Sequence, residues 1–276
     1  MSAEIPTEDF RLTIDEVCLE LRRWEGCQPP VLLLHEGLGS LSMWRDFPRR
    51  LAEVTARTVI AWSRQGHGNS DRLRAPRNTS YMHEEAEVLL KVMDSLRIEH
   101  AILFGHSDGA SIALIAAARA PERVSGLILE APHVYVEALT VASIAAIGDM
   151  YRTSALGRKL ARYHADANHV FWAWNDIWLD ERFLNWNIES LLACVRAPAL
   201  LVQGTDDEYG TLDQLVRIEA GLADTERLVL PDCGHPPHKD QPEAVLHATA
   251  KFLAERVGLF PLTPSVQTRT KKMRPK

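Results

Sequence analysis

From Phe10 to Trp24 the chain alternates, with Leu12, Ile14, Val17, Leu19 and Leu21 at mostly two-residue spacing around a polar Asp15-Glu16 break. A period of two marks strands with one buried face, so this stretch reads as an opening antiparallel hairpin or pair of strands. Six short apolar runs follow: Val31–Leu34, Thr58–Trp62, Ala101–Phe104, Gly126–Leu129, Ala199–Val202 and Arg227–Leu230. Such runs are the pattern of strands buried on both faces of a parallel sheet. The pieces between them carry helical spacing, clearest in Tyr81–Leu96, where Ala86, Val88, Leu89, Val92, Met93 and Leu96 make one apolar face. Asp108–Ala120, Leu212–Leu222 and Pro242–Val257 read the same way. Strand-helix alternation of this kind predicts an α/β fold with a mostly parallel, eight-stranded, doubly wound sheet and helices on both faces. Between Glu130 and Ala197 the alternation stops and a helical, aromatic-rich stretch takes over. The expected organisation is a core of residues 1–132 and 196–260, with a helical cap, 133–195, inserted after the sixth strand.

Length and composition narrow the functional classes. A chain of 276 residues suits one catalytic unit with an insertion. Its formal charge of −6 is spread along the chain, which points away from nucleic acid and anionic membranes and toward a small-molecule substrate. The opening MSAEIPTEDF has no apolar run, and nowhere do 18 apolar residues follow one another, so a cytoplasmic protein is expected. Cys18, Cys27, Cys194 and Cys233 form neither a CxxC pair nor a disulfide framework, and read as reduced thiols or core fillers. Eleven histidines show no HxH or HExxH spacing, so no metal and no cofactor is expected. Residues 261–276, ending Lys271-Lys272-Met273-Arg274-Pro275-Lys276, read as a disordered basic tail. Nothing in the sequence sets an oligomeric state.

The chemistry gathers at strand ends. Gly105-His106-Ser107-Asp108-Gly109 follows a buried strand and opens a helix, the context in which G-x-S-x-G forms a sharp elbow exposing a nucleophilic serine. Serine needs a base. His235, in Pro231-Asp232-Cys233-Gly234-His235 after the last strand, is the candidate, and His238 is its competitor, turned toward the following helix. The base needs a carboxylate partner. Asp207, third after the strand-ending Gly204, is the first choice; Asp206 and Glu130 are alternatives. An oxyanion hole needs two backbone N–H groups. Asp108 supplies one, and Gly37, or Leu38 if the register shifts, supplies the other from His35-Glu36-Gly37-Leu38-Gly39.

On these residues the stretch from Val31 to about Arg256 resembles the α/β-hydrolase superfamily. Ser63-Arg64-Gln65-Gly66-His67-Gly68-Asn69-Ser70-Asp71 is similar to its R-G-x-G-x-S turn, Trp44-Arg45-Asp46-Phe47 to its first helix, and Ala120-Pro121-Glu122-Arg123-Val124 to its helix-to-strand turn. Glu36 and Gln65 depart from its usual residues. The resemblance implies two-step acyl transfer by Ser107, His235 and Asp207, with a carboxylic ester as the expected substrate. C–C bond hydrolysis of meta-cleavage type uses the same set. Asp108 after the serine resembles valacyclovir hydrolase and its bacterial relatives and suggests an amino ester, although a carboxylate in a helix's first turn is also favoured by the macrodipole. A non-enzymatic ligand receptor of the same fold is the remaining alternative. Trp172, Trp174, Trp178 and Trp186 crowd the cap and suit an apolar or aromatic substrate group. Glu36, Asp108, His133, Tyr135, Trp172 and Trp174 are the expected substrate contacts.

Overall fold

The computed structural model describes residues 5–258. The basic tail expected at 261–276 lies outside them. Strands β1 (Thr7–Ile14) and β2 (Val17–Trp24) form the opening hairpin, turning at Asp15 and Glu16, both with positive φ. They lead into β3 (Cys27–Leu34), β4 (Arg57–Trp62), β5 (Ala101–His106), β6 (Val124–Glu130), β7 (Ala199–Gly204) and β8 (Thr225–Leu230). One eight-stranded sheet results, in the order β1-β2-β4-β3-β5-β6-β7-β8, antiparallel at the hairpin and where β2 meets β4, and parallel from β4 to β8.

Alternation within the apolar runs divides the core in two. Leu32 and Leu34 of β3, Leu103 of β5 and Leu201 of β7 pack on one face beneath α2 (Tyr81–Ser95) and α3 (Asp108–Arg119). Val31, Leu33, Phe104 and Val202 pack on the other. There they meet α1 (Phe47–Thr55) and, after α7 (Asp213–Gly221) and the short α8 (Pro237–Asp240), the long α9 (Pro242–Phe252). Central strands buried on both sides need apolar residues at every position, which is why their sequences do not alternate in polarity.

Two helix boundaries differ from expectation. The segment Trp44–Phe47 is not one helix: a 3-10 turn covers Leu41–Trp44, Arg45 has φ 55°, and α1 begins at Phe47 with Pro48 in its first turn, where a missing N–H costs nothing. The helix expected over Pro242–Val257 is α-helical only to Phe252, and Leu253–Val257 widens to π geometry. Between β6 and β7 lie α4 (Ala138–Thr153), α5 (Leu156–Leu160) and α6 (Ala167–Trp178), the last opened by the Asp166 carboxylate accepting the His169 N–H at 3.1 Å. No helix among the described residues is long and apolar enough to cross a membrane.

Candidate active site

Ser107 stands between β5 and α3 with φ 55° and ψ −119°, a region that costs a non-glycine residue on the order of 1–3 kcal/mol. The turn closes because its glycines lack side chains: a Cβ on Gly105 would lie 2.3 Å from the Gly109 carbonyl oxygen, and one on Gly109 2.1 Å from the Leu34 carbonyl oxygen. Hydrogen bonds at both ends hold the strain, from the Ser107 N–H to the Glu130 carbonyl (2.9 Å) and from the Ala110 N–H to the Ser107 carbonyl (2.8 Å).

The loops after β7 and β8 bring Asp207 and His235 together, with Nδ1 of the imidazole 2.8 Å from Asp207 Oδ1. That oxygen also accepts the Tyr209 N–H (2.9 Å) and the Gly210 N–H (3.2 Å), while Gln203 Nε2 donates to Oδ2 at 3.2 Å. Burial alone would raise the Asp207 carboxyl, but the charge and hydrogen bond of His235 carry it below the ordinary carboxylate value. Burial likewise pushes His235 down, and the Asp207 charge and hydrogen bond outweigh it, leaving the imidazole above its ordinary value. With its Nδ1 proton directed at Asp207, His235 turns a bare Nε2 away from the carboxylate. Ser107 and His235 line the same cavity, and no hydrogen bond joins them in this arrangement. The alternative acid Asp206 is exposed and takes the Thr205 hydroxyl instead. Cys233 is buried and its thiol is pushed up to about 11, which leaves it a core filler.

Gly37 and Asp108 flank Ser107 at the cavity floor, and neither N–H finds an acceptor among the described residues. The Asp108 side chain is already engaged. Its Oδ2 accepts the Tyr81 hydroxyl at 2.9 Å, its Oδ1 faces the Trp178 indole N–H at 3.3 Å, and the Arg64 guanidinium lies 3.9 Å away. It is 2% exposed, so its negative charge is compensated inside the protein.

The cavity measures about 230 Å³. Of the expected substrate contacts, Glu36, Asp108, His133 and Trp174 line it. Two do not. Tyr135 points its hydroxyl to Asp213 (2.7 Å) under the Arg217 guanidinium, and Trp172 packs against Tyr151, Phe171 and Arg152 on the other side of α6. Sequence reasoning missed Ile144, Leu160, Tyr209 and Lys239, which also line the cavity. Tyr209, two residues past Asp207, and Lys239, directly after His238, carried a signal as neighbours of candidates; Ile144 and Leu160 carried none.

His238 corrects the expectation that it turns away from the strand ends. Its Nδ1 lies 2.7 Å from Glu130 Oε2 at the end of β6, packed among Trp44, Phe47 and His106. Burial holds the Glu130 carboxyl protonated up to about 8 and His238 neutral down to about 3. His106, Glu130 and His238 bring potential ligand atoms within 4.8 Å of one another, a closeness invisible in sequence spacing. As they stand, a proton joins the Glu130–His238 pair, while His106 Nε2 donates to the His235 carbonyl at 2.9 Å.

Comparison with known proteins follows the same lines. The putative carbamate hydrolase RutD of Caulobacter segnis is 31% identical over 118 residues, 42% of this chain and 43% of that one, so the chain spans less than half of that relative. A 2-hydroxy-6-oxononadienedioate/2-hydroxy-6-oxononatrienedioate hydrolase of Comamonas testosteroni is 25% identical over 251 residues, 81% of this chain and 87% of that one. Among solved structures, the 2-hydroxy-6-oxo-6-phenylhexa-2,4-dienoate hydrolase of Rhodococcus sp. strain RHA1 superposes with a TM-score of 0.76 at 19% identity, covering 91% of this chain and 99% of that one. The family model described as "alpha/beta hydrolase fold" matches residues 29–166, half of the chain. With that match over the elbow and the sheet around it, the chain belongs to the α/β hydrolase fold family and is an enzyme of it, a hydrolase.

Proposed function

We propose that the protein hydrolyses a neutral carboxylic ester of a small, apolar or aromatic molecule, with Ser107 as nucleophile, His235 as general acid and base, and Asp207 as its partner. The observation that carries this reading is the shared cavity: the strained Ser107 and an imidazole fixed by Asp207 at 2.8 Å open onto it together. Substrate binding brings the hydroxyl and Nε2 into line. The serine oxygen then attacks the carbonyl carbon as its proton passes to Nε2, and the N–H groups of Gly37 and Asp108 receive the oxyanion. His235 returns the proton to the departing alcohol, and water activated by the same imidazole releases the acid. Residues 133–195 act as the cap, laying Ile144, Leu160 and Trp174 over the bound group.

Charge favours the ester over its rivals. The Comamonas relative is named for a dicarboxylate, whereas here the Lys239 ammonium is taken by Glu36 at 3.3 Å, and Glu36 and Glu208 add negative charge to the cavity wall. An amino ester would need a free Asp108 carboxylate, and Tyr81, Trp178 and Arg64 occupy it. The test is a panel of chromogenic esters of graded acyl size, with and without an α-amino group, beside a meta-cleavage product. Neutral esters turned over fastest, with Ser107→Ala inactive and a fluorophosphonate labelling Ser107, are the expected result. Faster cleavage of the meta-cleavage product, or no turnover and no labelling, overturns it.

A further inference from the structure

Three consecutive carbonyls of the loop before Gly39 each meet an imidazole. His35 Nδ1 lies 2.7 Å from the Glu36 oxygen, His67 Nε2 3.0 Å from the Gly37 oxygen and His164 Nε2 3.0 Å from the Leu38 oxygen. The tautomers follow from the other ring atoms. His35 Nε2 accepts the Arg64 N–H (3.1 Å), so its proton sits on Nδ1; His164 Nδ1 accepts the Gly68 N–H (2.9 Å), so its proton sits on Nε2. His67 faces two carbonyl oxygens, Gly37 at 3.0 Å from Nε2 and Gln65 at 3.2 Å from Nδ1, and the one proton of its neutral ring goes to the shorter contact, on Nε2. Arg64 Nη2 and the Gly39 N–H, both at 3.0 Å, add to the hold on the Glu36 oxygen. The three rings are buried and adjoin one another at an angle, with centroids 4.8 Å apart and planes tilted 53° from His35 to His67, and 6.0 Å and 66° from His67 to His164.

A peptide unit is planar, so fixing the carbonyl of one residue fixes the N–H of the next in the opposite direction. Holding the Glu36 and Gly37 carbonyls outward therefore aims the Gly37 and Leu38 N–H groups, which have no acceptor among the described residues, toward the cavity that both residues line. We infer that His67 and His164, with His35 and Arg64, are positioning residues that clamp this loop so that its N–H groups meet the oxyanion. The inference rests on the ester-hydrolase reading. It goes further in one respect: His164 belongs to the helical insertion, between α5 and α6, so seating of the insertion becomes a condition for a formed oxyanion site.

The experiment compares His67→Leu with His67→Gln, and His164→Leu with His164→Gln, because glutamine can place an N–H near the former Nε2. Misplacing a donor at an oxyanion costs on the order of 10- to 100-fold in turnover. The leucine variants are expected to lose that much kcat on p-nitrophenyl butyrate, and to lose affinity for a trifluoromethyl ketone in parallel. On a Ser107→Ala background, the affinity for the unreacted ester should change less than twofold, and the glutamine variants should recover part of the loss. Unchanged kcat in the leucine variants, or equal losses of ester and ketone affinity, overturns the clamp. Should a leucine variant fail to fold, His67→Asn, too short to reach the Gly37 oxygen, takes its place. If the wild type turns over no ester, the reading of Ser107 falls, and the clamp is judged on hydrogen exchange at the Gly39 amide. Faster exchange in His67→Asn supports it; unchanged exchange overturns it.

Discussion

The Trp174 indole closes on Gly37 so tightly that a methyl group there would lie 2.1 Å from its Nε1 and 2.2 Å from its Cδ1. Glycine at 37 is therefore a condition for α6 to sit over the elbow, not only a feature of the loop. Gly37→Ala must push the loop or the insertion aside, at about 1–3 kcal/mol for an overpacked contact. We expect it to lower kcat/KM on p-nitrophenyl butyrate at least about 10-fold, the scale of a displaced oxyanion donor. Trp174→Ala in the Gly37→Ala background vacates the space and should recover part of the loss. Additive losses in the double variant would separate the two residues.

As the proposed base, the His235 imidazole must be neutral to accept a proton, and Asp207 holds it above its ordinary value of 6.5. A raised value keeps the base protonated to higher pH, so activity appears only as pH rises through it. The acid limb of kcat/KM is expected above 6.5. In Asp207→Asn the carboxylate charge is gone and burial remains, so the limb should move down, with kcat reduced on the order of 10³–10⁴-fold by loss of the tautomer. A limb unmoved by the substitution would assign it to another group.

The sheet was legible because every central strand is buried on both faces, which forces unbroken apolar runs such as Ala101–Phe104. The strand-end positions of Ser107, Asp207 and His235, the candidate trio, were legible because each follows a strand in a recognisable loop; the 2.8 Å contact of the last two was not, since 28 residues separate them. His238 misled because the sequence shows a helix beginning, not that Pro237 and His238 are the buried half of this four-residue turn, with His238 against the end of β6. Trp172 and Trp174 could have been told apart. Residues two apart on a helix point about 200° from each other, whereas Trp174 and Trp178, four apart, share a face. The insertion's apolar cavity wall, Ile144 and Leu160, depends on how three helices settle over the elbow, which no local pattern encodes.

That geometry separates Trp172 from catalysis. Its ring carries the Arg152 guanidinium at 4.5 Å and meets Tyr151 edge-on, away from the cavity. Trp172→Leu is expected to leave kcat and KM within about twofold, with a stability loss of about 1 kcal/mol from the cation–π contact. Ile144 faces the cavity, so Ile144→Trp should slow hexanoate esters far more than acetate esters. Steady-state kinetics across the acyl series checks both. A large KM change in Trp172→Leu would return it to the substrate's path.

Glu130 and His238 share one proton across 2.7 Å, both buried beneath the His235 loop. With the carboxyl protonated up to about 8 and the imidazole neutral down to about 3, the acid O–H donates to Nδ1. Glutamine can make the same donation through its amide, so Glu130→Gln should unfold in urea at pH 4.5 with nearly the wild-type stability. Glu130→Leu leaves Nδ1 buried without a partner and should lose about 1–3 kcal/mol. A carboxyl whose folded value is raised contributes stability below its unfolded value, and that contribution is lost as pH rises toward the folded one. Wild type should therefore lose ground to Glu130→Gln progressively between pH 4.5 and about 8, and the gap should level off above that. A gap that stays flat from pH 4.5 to 6.5 and changes only above that, as His238 loses its proton, would mean that Glu130 is ionised and the pair is a salt bridge, in which case Glu130→Gln should be the less stable protein at pH 6.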